Sequence, residues 1–165
     1  MRAGREAAVP EAISGALECV LGERIGHVKV IEHSWFARVH GAFATTRRHR
    51  IYLRGSAAEF FTNPWLMLHE YCHVLRQWQT GSLTAPRYLL ECLRHGYWNN
   101  RFEVEAREFA DHNAPQLHSL LAATPHSSPP RPDAQPSSAS RRYSRPAMST
   151  SSVPTASVAS TETAK

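Results

Sequence analysis

Residues 64–78 read PWLMLHEYCHVLRQW, and this stretch decides both the fold and the candidate site. Asn63 directly before it is a favoured helix cap, and Pro64 suits the first helical position. Thr80 and Gly81 follow the stretch, and a glycine here is typical of a helix end. Because most of the side chains between these signals are apolar, the sequence predicts a largely buried helix that ends just before Thr80.

Within this stretch His69, Glu70 and His73 form the pattern HExxH. On an α-helix His69 and His73 lie about 40° apart, one turn along the same face, so their imidazoles can converge on one ion. Glu70 is rotated by about 100° from His69, which suits a general base standing beside the ion. The pattern predicts a Zn²⁺ site with Glu70 as the catalytic base, and two ordinary buried histidines are the alternative.

Two histidines and a water leave tetrahedral zinc one protein ligand short, so another segment has to supply it. A further helix is predicted from NRFEVEAREFADH, residues 100–112, with Asn100 as its cap and an end before Pro115. The candidate ligands in and before this helix are carboxylates and histidines: Glu91, His95, Glu103, Glu105, Glu108, Asp111 and His112.

These motifs resemble those of HExxH zinc peptidases whose third ligand is a glutamate in an ExxA helix, the gluzincin group in a compact form. Over residues 50–112 the chain is more closely similar to small bacterial zincin-like proteins, some of them associated with contractile injection systems. The resemblance implies a zincin-type fold and hydrolysis of peptide bonds. It also implies that Zn²⁺ is held by His69, His73 and Glu103, which precedes Ala106 by three residues.

Helical geometry supports Glu103 independently of this resemblance. Ala106 and Ala110 share the face of Glu103, and two alanines permit close approach to the HExxH helix. Glu105 is about 200° away on the same helix, so only one of the two glutamates can bind the ion. Glu103 is therefore favoured, and the remaining alternatives are Glu105 as the ligand or both carboxylates on a solvated face.

Neighbouring side chains are expected to have ordinary structural roles. Cys72 lies inside the motif and is predicted to pack as a small buried hydrophobic residue. Trp65, Trp78 and Trp98 are predicted to pack in the core. Tyr97 can donate a hydrogen bond to a reacting oxyanion, but a core position is favoured for it as well.

The remaining patterns predict an α+β domain. Residues 10–22 read as a short amphipathic helix that ends at Gly22, and residues 84–95 read as another helix. Residues 27–54 are rich in β-branched and aromatic side chains and predict two or three strands. We expect a small antiparallel sheet that packs on the HExxH helix and on the helix that bears Glu103.

Composition divides the chain into a domain over residues 1–121 and a tail over residues 122–165. The tail contains 11 Ser and 7 Pro among its 44 residues and few large apolar side chains. Such a stretch cannot bury enough apolar surface to offset its ordering entropy, so disorder is predicted for it.

Charge and cysteine content narrow the classes of function. The chain carries a formal net charge of +5. Its three cysteines are an odd number without CxxC spacing, which argues against a disulfide framework and for a cytoplasmic location. The N-terminus has no secretory pattern and no stretch approaches about 18 apolar residues, so no membrane partner is expected. Arg47, Arg48 and Arg50 read as a charged hairpin rather than a phosphate-binding patch, which makes nucleic acid a poor candidate partner.

The sequence therefore predicts a zinc-dependent hydrolase of peptide or amide bonds whose partner is a peptide or protein substrate. The competing hypothesis is a zinc-binding interaction or assembly module without catalysis, in which the ion only stabilises the fold. Glu70 favours the hydrolase, because a purely structural site has no use for a general base beside an open coordination position.

Overall fold

A computed structural model describes residues 4–39 and 43–123 of the chain. It contains β1 (Arg5–Ala7), α1 (Glu11–Leu21), β2 (Lys29–Glu32), α2 (Trp35–Val39), β3 (Ala44–Arg47), β4 (Arg50–Leu53), α3 (Ala57–Phe61), α4 (Pro64–Cys72), a π-helical segment (His73–Trp78), α5 (Ala85–His95) and α6 (Arg101–Ala123). The predicted α+β class is confirmed. The predicted tail, residues 122–165, lies outside the described residues from position 124 onward.

The strands form one mixed sheet in the order β1-β2-β4-β3. β1 pairs with β2 and β3 pairs with β4 in antiparallel fashion, whereas β2 and β4 are parallel. The expectation of a purely antiparallel sheet was therefore wrong for the central pair. Parallel neighbours need a crossover connection, and here α2 and β3 carry the chain across before β4 enters the sheet.

Helix α2 occupies a segment for which the sequence predicts a strand. β2 ends at Glu32, whose buried carboxylate accepts a hydrogen bond from the backbone N–H of Ala57 at 3.0 Å. His33 follows with a φ of 52°, a left-handed conformation that turns the chain out of the sheet. Ala37 of α2 is fully buried, so tertiary packing overrides the strand propensity of its aromatic and β-branched neighbours.

The core lies between the sheet, α1, α4 and α6. α4 packs mainly against α6, and it also contacts the edge strand β3. The largest fully buried side chains include Phe60, Leu68 and Tyr71 near α4 and Ile51 in the sheet. Burying such side chains contributes about 1.5–3 kcal/mol each, so this packing holds the HExxH helix in place between the sheet and α6.

Helix α6 is longer than the sequence predicts, because it continues through Pro115 to Ala123. A proline inside a helix removes one backbone hydrogen bond, and for this reason the prediction ended the helix before it. Leu117, two residues beyond the proline, is fully buried in the core and keeps the following residues helical. Within residues 4–39 and 43–123, every helix is too short or too polar to cross a lipid bilayer.

Candidate metal centre

The HExxH helix begins where the sequence predicts. The Asn63 side chain accepts a hydrogen bond from the backbone N–H of Leu66 at 3.0 Å, and Pro64 occupies the first turn. The predicted helix continues to Trp78, but it changes from α to π geometry at His73. Short π segments inside helices are often found at functional sites.

Three buried side chains converge between α4 and α6. The Nε2 atoms of His69 and His73 are 3.2 Å apart. Glu103 Oε2 lies 3.4 Å from the first nitrogen and Oε1 lies 3.6 Å from the second. Each of the three residues offers one ligand atom, and these three atoms all lie within 4.8 Å of one another. This group can hold a metal ion, and it includes every metal ligand that the HExxH and ExxA motifs predict.

The spacing of these atoms fits a tetrahedral ion. Bonds of about 2.0–2.1 Å around tetrahedral zinc place neighbouring ligand atoms about 3.3 Å apart, close to the separations seen here. Glu103 Oε2 is buried and has no hydrogen-bond partner among the described residues. A buried oxygen without a partner is costly, and an ion between the carboxylate and the two imidazoles would satisfy it.

Gln77 orients His73, a role that the HExxH pattern does not include. Its side-chain oxygen lies 2.7 Å from His73 Nδ1, and its amide nitrogen donates to the carbonyl of Phe102 at 2.9 Å and to Glu105 at 3.0 Å. Because the amide oxygen can only accept, Nδ1 carries the proton and Nε2 presents its lone pair to the ligand set. Gln77 follows His73 by four residues, so the two are neighbours on one helix face, and this spacing could have identified Gln77.

Trp65 supports the other histidine. Its ring stacks on His69 with 5.1 Å between ring centroids and an interplanar angle of 18°. Its indole nitrogen donates to Asp111 at 2.6 Å. Asp111 therefore acts on His69 through the tryptophan and not by a direct hydrogen bond. Outer contacts of this kind fix the orientation of metal ligands.

Tyr88 of α5 holds Glu103 in place. Its hydroxyl donates to Glu103 Oε1 at 2.7 Å, a contact that the sequence does not reveal because 15 residues separate the two side chains. Burial alone would raise the pKa of the Glu103 carboxyl. The neighbouring imidazoles of His69 and His73, together with the Tyr88 hydroxyl, outweigh burial and hold this pKa below its ordinary value. This direction favours the ionised carboxylate, the form that a metal ion at this position would require.

Glu70 lies beside the three converging side chains and is not a member of that group. Only 6% of its surface is exposed, and it lines the same cleft as His69 and His73. Burial raises the pKa of the Glu70 carboxyl above its ordinary value, and the neighbouring histidines oppose that shift less strongly. A carboxylate with a raised pKa, close to a reacting water, is suited to general-base catalysis.

A cleft of about 460 Å³ opens onto this group. Strand β3 lines one side, and α5 lines another through Tyr88, Leu89 and Cys92. Tyr97 also reaches the cleft and is half exposed, so its expected place in the core was wrong. This volume lies within the range of about 300–1,000 Å³ that is usual for ligand pockets.

The other candidate residues lie apart from the ligand atoms. Glu105 is exposed and its carboxylate bonds to Gln77, which makes it a neighbour of the site and not a member of the converging group. Cys72 is fully buried, as predicted, and burial raises the pKa of its thiol to about 12. Trp98 is 72% exposed, so the prediction of a core position was wrong for this tryptophan.

Comparisons with protein-family models, with curated proteins and with solved structures give no match to this chain. The resemblance to HExxH zinc peptidases therefore stays an expectation from the sequence motifs. Fold alone does not determine function, so the functional conclusion depends on the chemistry of the cleft.

The two glutamates of α6 can be distinguished by metal affinity. Glu103→Ala removes a converging ligand, so we expect zinc affinity to fall by at least about 10-fold, the lower bound for losing a supporting contact. Glu105→Ala removes only a neighbour of Gln77 and should have the smaller effect. Isothermal titration of zinc into metal-free protein measures both, with the exposed Glu108→Ala as control. A larger loss in Glu105→Ala would reassign the third ligand.

Proposed function

We propose that this protein is a zinc-dependent hydrolase of peptide or amide bonds, with zinc held by His69, His73 and Glu103. The observation that carries the proposal is the position of Glu70, a buried carboxylate that opens into the same cleft and is not a ligand. Structural zinc sites fill all four positions with protein ligands, whereas catalytic sites use three and leave one open.

Each group of the site has a defined part in this chemistry. Zinc, when bound, acts as a Lewis acid that polarises the substrate carbonyl. Glu70 accepts the proton of the attacking water on a carboxylate oxygen and then donates it to the leaving amine. Gln77 keeps the proton of His73 on Nδ1, and Tyr88 holds the Glu103 carboxylate in place.

Strand β3 offers a surface on which an extended peptide can lie. It is the last strand in the described sheet order, and its residues line the cleft beside the HExxH side chains. Arg54 donates its backbone N–H to the carbonyl of Phe43 at 2.8 Å, which makes these two a hydrogen-bonded pair. Because such pairs alternate along antiparallel strands, the backbone groups of Ala44 and Thr46 point to the outer edge. An extended peptide can pair with them.

One observation favours the competing hypothesis of a zinc-stabilised interaction module. Helix α5 contains no buried residue, and Leu89, Leu93 and the nearby Trp98 are strongly exposed. Exposed apolar side chains that lie close together are typical of surfaces that contact other macromolecules. Because Leu89 also lines the cleft, the same surface can serve a bound protein substrate.

Removing the metal tests the proposal directly. Full-length protein loaded with zinc is expected to cleave members of a mixed peptide library, which mass spectrometry detects. A chelator should abolish cleavage, because the ligand set then lacks its Lewis acid, and added zinc should restore it. Cleavage that persists in chelator would contradict the proposal, and so would zinc-loaded protein that cleaves no peptide.

A further inference from the structure

A second cavity lies beside the cleft and is lined by three arginines and three aromatic side chains. Its volume is about 580 Å³, and we call it the arginine pocket: Phe36, Arg47, Arg48, Arg50, Tyr52 and Trp78. Phe36, Arg47 and Trp78 line both the arginine pocket and the cleft. The two cavities therefore adjoin, and one ligand can extend from the metal ligands into the pocket.

The arginines are crowded by the geometry of the β3–β4 hairpin. Arg47 and Arg50 face each other across the two strands, and Arg48 lies in the two-residue turn between them. His49 completes this turn with a φ of 60°. Like charges directly opposite each other destabilise a strand pair, so this arrangement carries a cost within the protein itself.

Carboxylates of the described residues do not neutralise this charge. None of the ion pairs within residues 4–39 and 43–123 includes one of the three arginines. Glu6 acts on Arg50 through its charge from a distance. Its carboxylate oxygen Oε2 already pairs with Lys29 Nζ at 2.9 Å. The positive charge of the pocket is therefore available to a ligand.

Aromatic contacts hold two of the guanidinium groups against the pocket wall. The Arg47 guanidinium lies 5.2 Å from the centre of the Phe36 ring. Tyr52 also lines the pocket, and the interaction of Arg50 with its hydroxyl is the main reason that the pKa of Arg50 is raised. Guanidinium groups held in this way lose less freedom on binding, and their planar forks match a carboxylate.

Strand β3 connects the arginine pocket to the metal ligands. All four of its residues, Ala44–Arg47, line the cleft with the HExxH side chains, and Arg47 at its end also lines the arginine pocket. An extended chain that pairs with β3 rises about 3.3 Å per residue. Substrate residues within about three positions of the hydrolysed bond therefore lie beside the arginine pocket.

We propose that the arginine pocket binds an acidic side chain of the substrate and makes the enzyme selective for peptides with Asp or Glu close to the cleaved bond. This inference rests on the proposed hydrolase function, because it assigns the substrate class of the same cleft. Three arginines on one hairpin suit one or two carboxylates. Tight nucleic-acid binding usually requires more phosphate contacts along a longer basic surface.

The test measures binding and cleavage separately, so that each part can fail without the other. Binding uses zinc-loaded, full-length Glu70→Gln protein and two blocked decapeptides that differ only by Glu or Gln at one position, scanned along the peptide. We expect the best Glu peptide to bind about 10-fold or more tightly than its Gln partner, the scale of a charge-assisted hydrogen bond. Adding Arg48→Gln and Arg50→Gln should remove this preference, whereas Arg94→Gln on the exposed side of α5 should keep it.

Cleavage of the same peptides by wild-type protein and by the double arginine variant completes the test. Loss of the preference for Glu, with cleavage of the Gln peptides retained, supports the proposal. If the Glu peptide binds in an arginine-dependent way but no peptide is cleaved, the hydrolase proposal is wrong and the arginine pocket remains a binding site for acidic side chains. Equal binding of both peptides would overturn the pocket assignment, even if cleavage occurs. Tighter, arginine-dependent binding of a dT oligonucleotide would identify a nucleic-acid surface instead.

Discussion

Replacing His73 with alanine is expected to lower zinc affinity by at least about 100-fold. Losing an outer contact of a metal ligand costs about 10- to 100-fold in affinity, so losing a ligand itself should cost more. The change removes a ligand nitrogen that lies 3.2 Å from His69 Nε2 and 3.6 Å from Glu103 Oε1. It also leaves the side-chain oxygen of Gln77 without its partner on Nδ1. Two ligands from the set would remain, and these cannot complete a tetrahedral site.

Metal analysis of purified protein gives the readout for this variant. Wild-type protein should carry close to one zinc per chain, and the variant should carry little. His112→Ala is the matched control, since His112 is an exposed histidine outside the converging group. Thermal unfolding with and without zinc shows whether the ion also stabilises the fold. Wild-type protein that is stable and takes up no zinc would disprove the site.

The parts of the site that could be predicted depend on short-range sequence patterns. The distance of four residues between His69 and His73 places both on one helix face regardless of the rest of the fold. Likewise, Ala106 and Ala110 share a face with Glu103, and all three are buried in α6. Asn63 and Asn100 cap the two helices as predicted, each accepting a backbone N–H at 3.0 Å.

The parts that could not be predicted depend on contacts between distant segments. The Tyr88 to Glu103 hydrogen bond joins two different helices, and neither side chain has a local pattern that indicates it. Pairing of β2 with β4 requires the chain to pass through β3 first, which strand propensity does not encode. The short helix α2 forms because Ala37 packs in the interior, and this tertiary effect exceeds local preference.

Tyr97 and Trp98 show the same limit of prediction from sequence, and Tyr97 shows it at the candidate site. Residues 97–98 read as core because large aromatic side chains usually contribute most when buried. Instead Tyr97 lines the cleft, and Trp98 packs its ring on the Arg107 guanidinium 5.3 Å away. Arg107 is thus engaged by this tryptophan, whereas Gln77 orients His73 and Trp65 stacks on His69.

Replacing Glu70 with glutamine is expected to abolish most of the hydrolysis while leaving the metal in place. Glu70 is not in the converging ligand group, and glutamine has nearly the same size, so folding and zinc content should remain close to wild type. The amide cannot accept a proton from water at neutral pH. The expected loss in rate is therefore about 10²- to 10⁴-fold, the usual contribution of a general acid-base group.

The measurement compares cleavage of a peptide library by wild-type and Glu70→Gln protein at equal zinc loading. Glu108→Gln is the matched control, because it makes the same chemical change at an exposed position of α6. Cleavage by wild type and by the control, but not by Glu70→Gln, is the expected result. Equal cleavage by all three would point to a contaminating peptidase. If none cleaves any peptide at full zinc occupancy, the buried carboxylate is not a catalytic base, and the zinc-stabilised interaction module becomes the better explanation of the site.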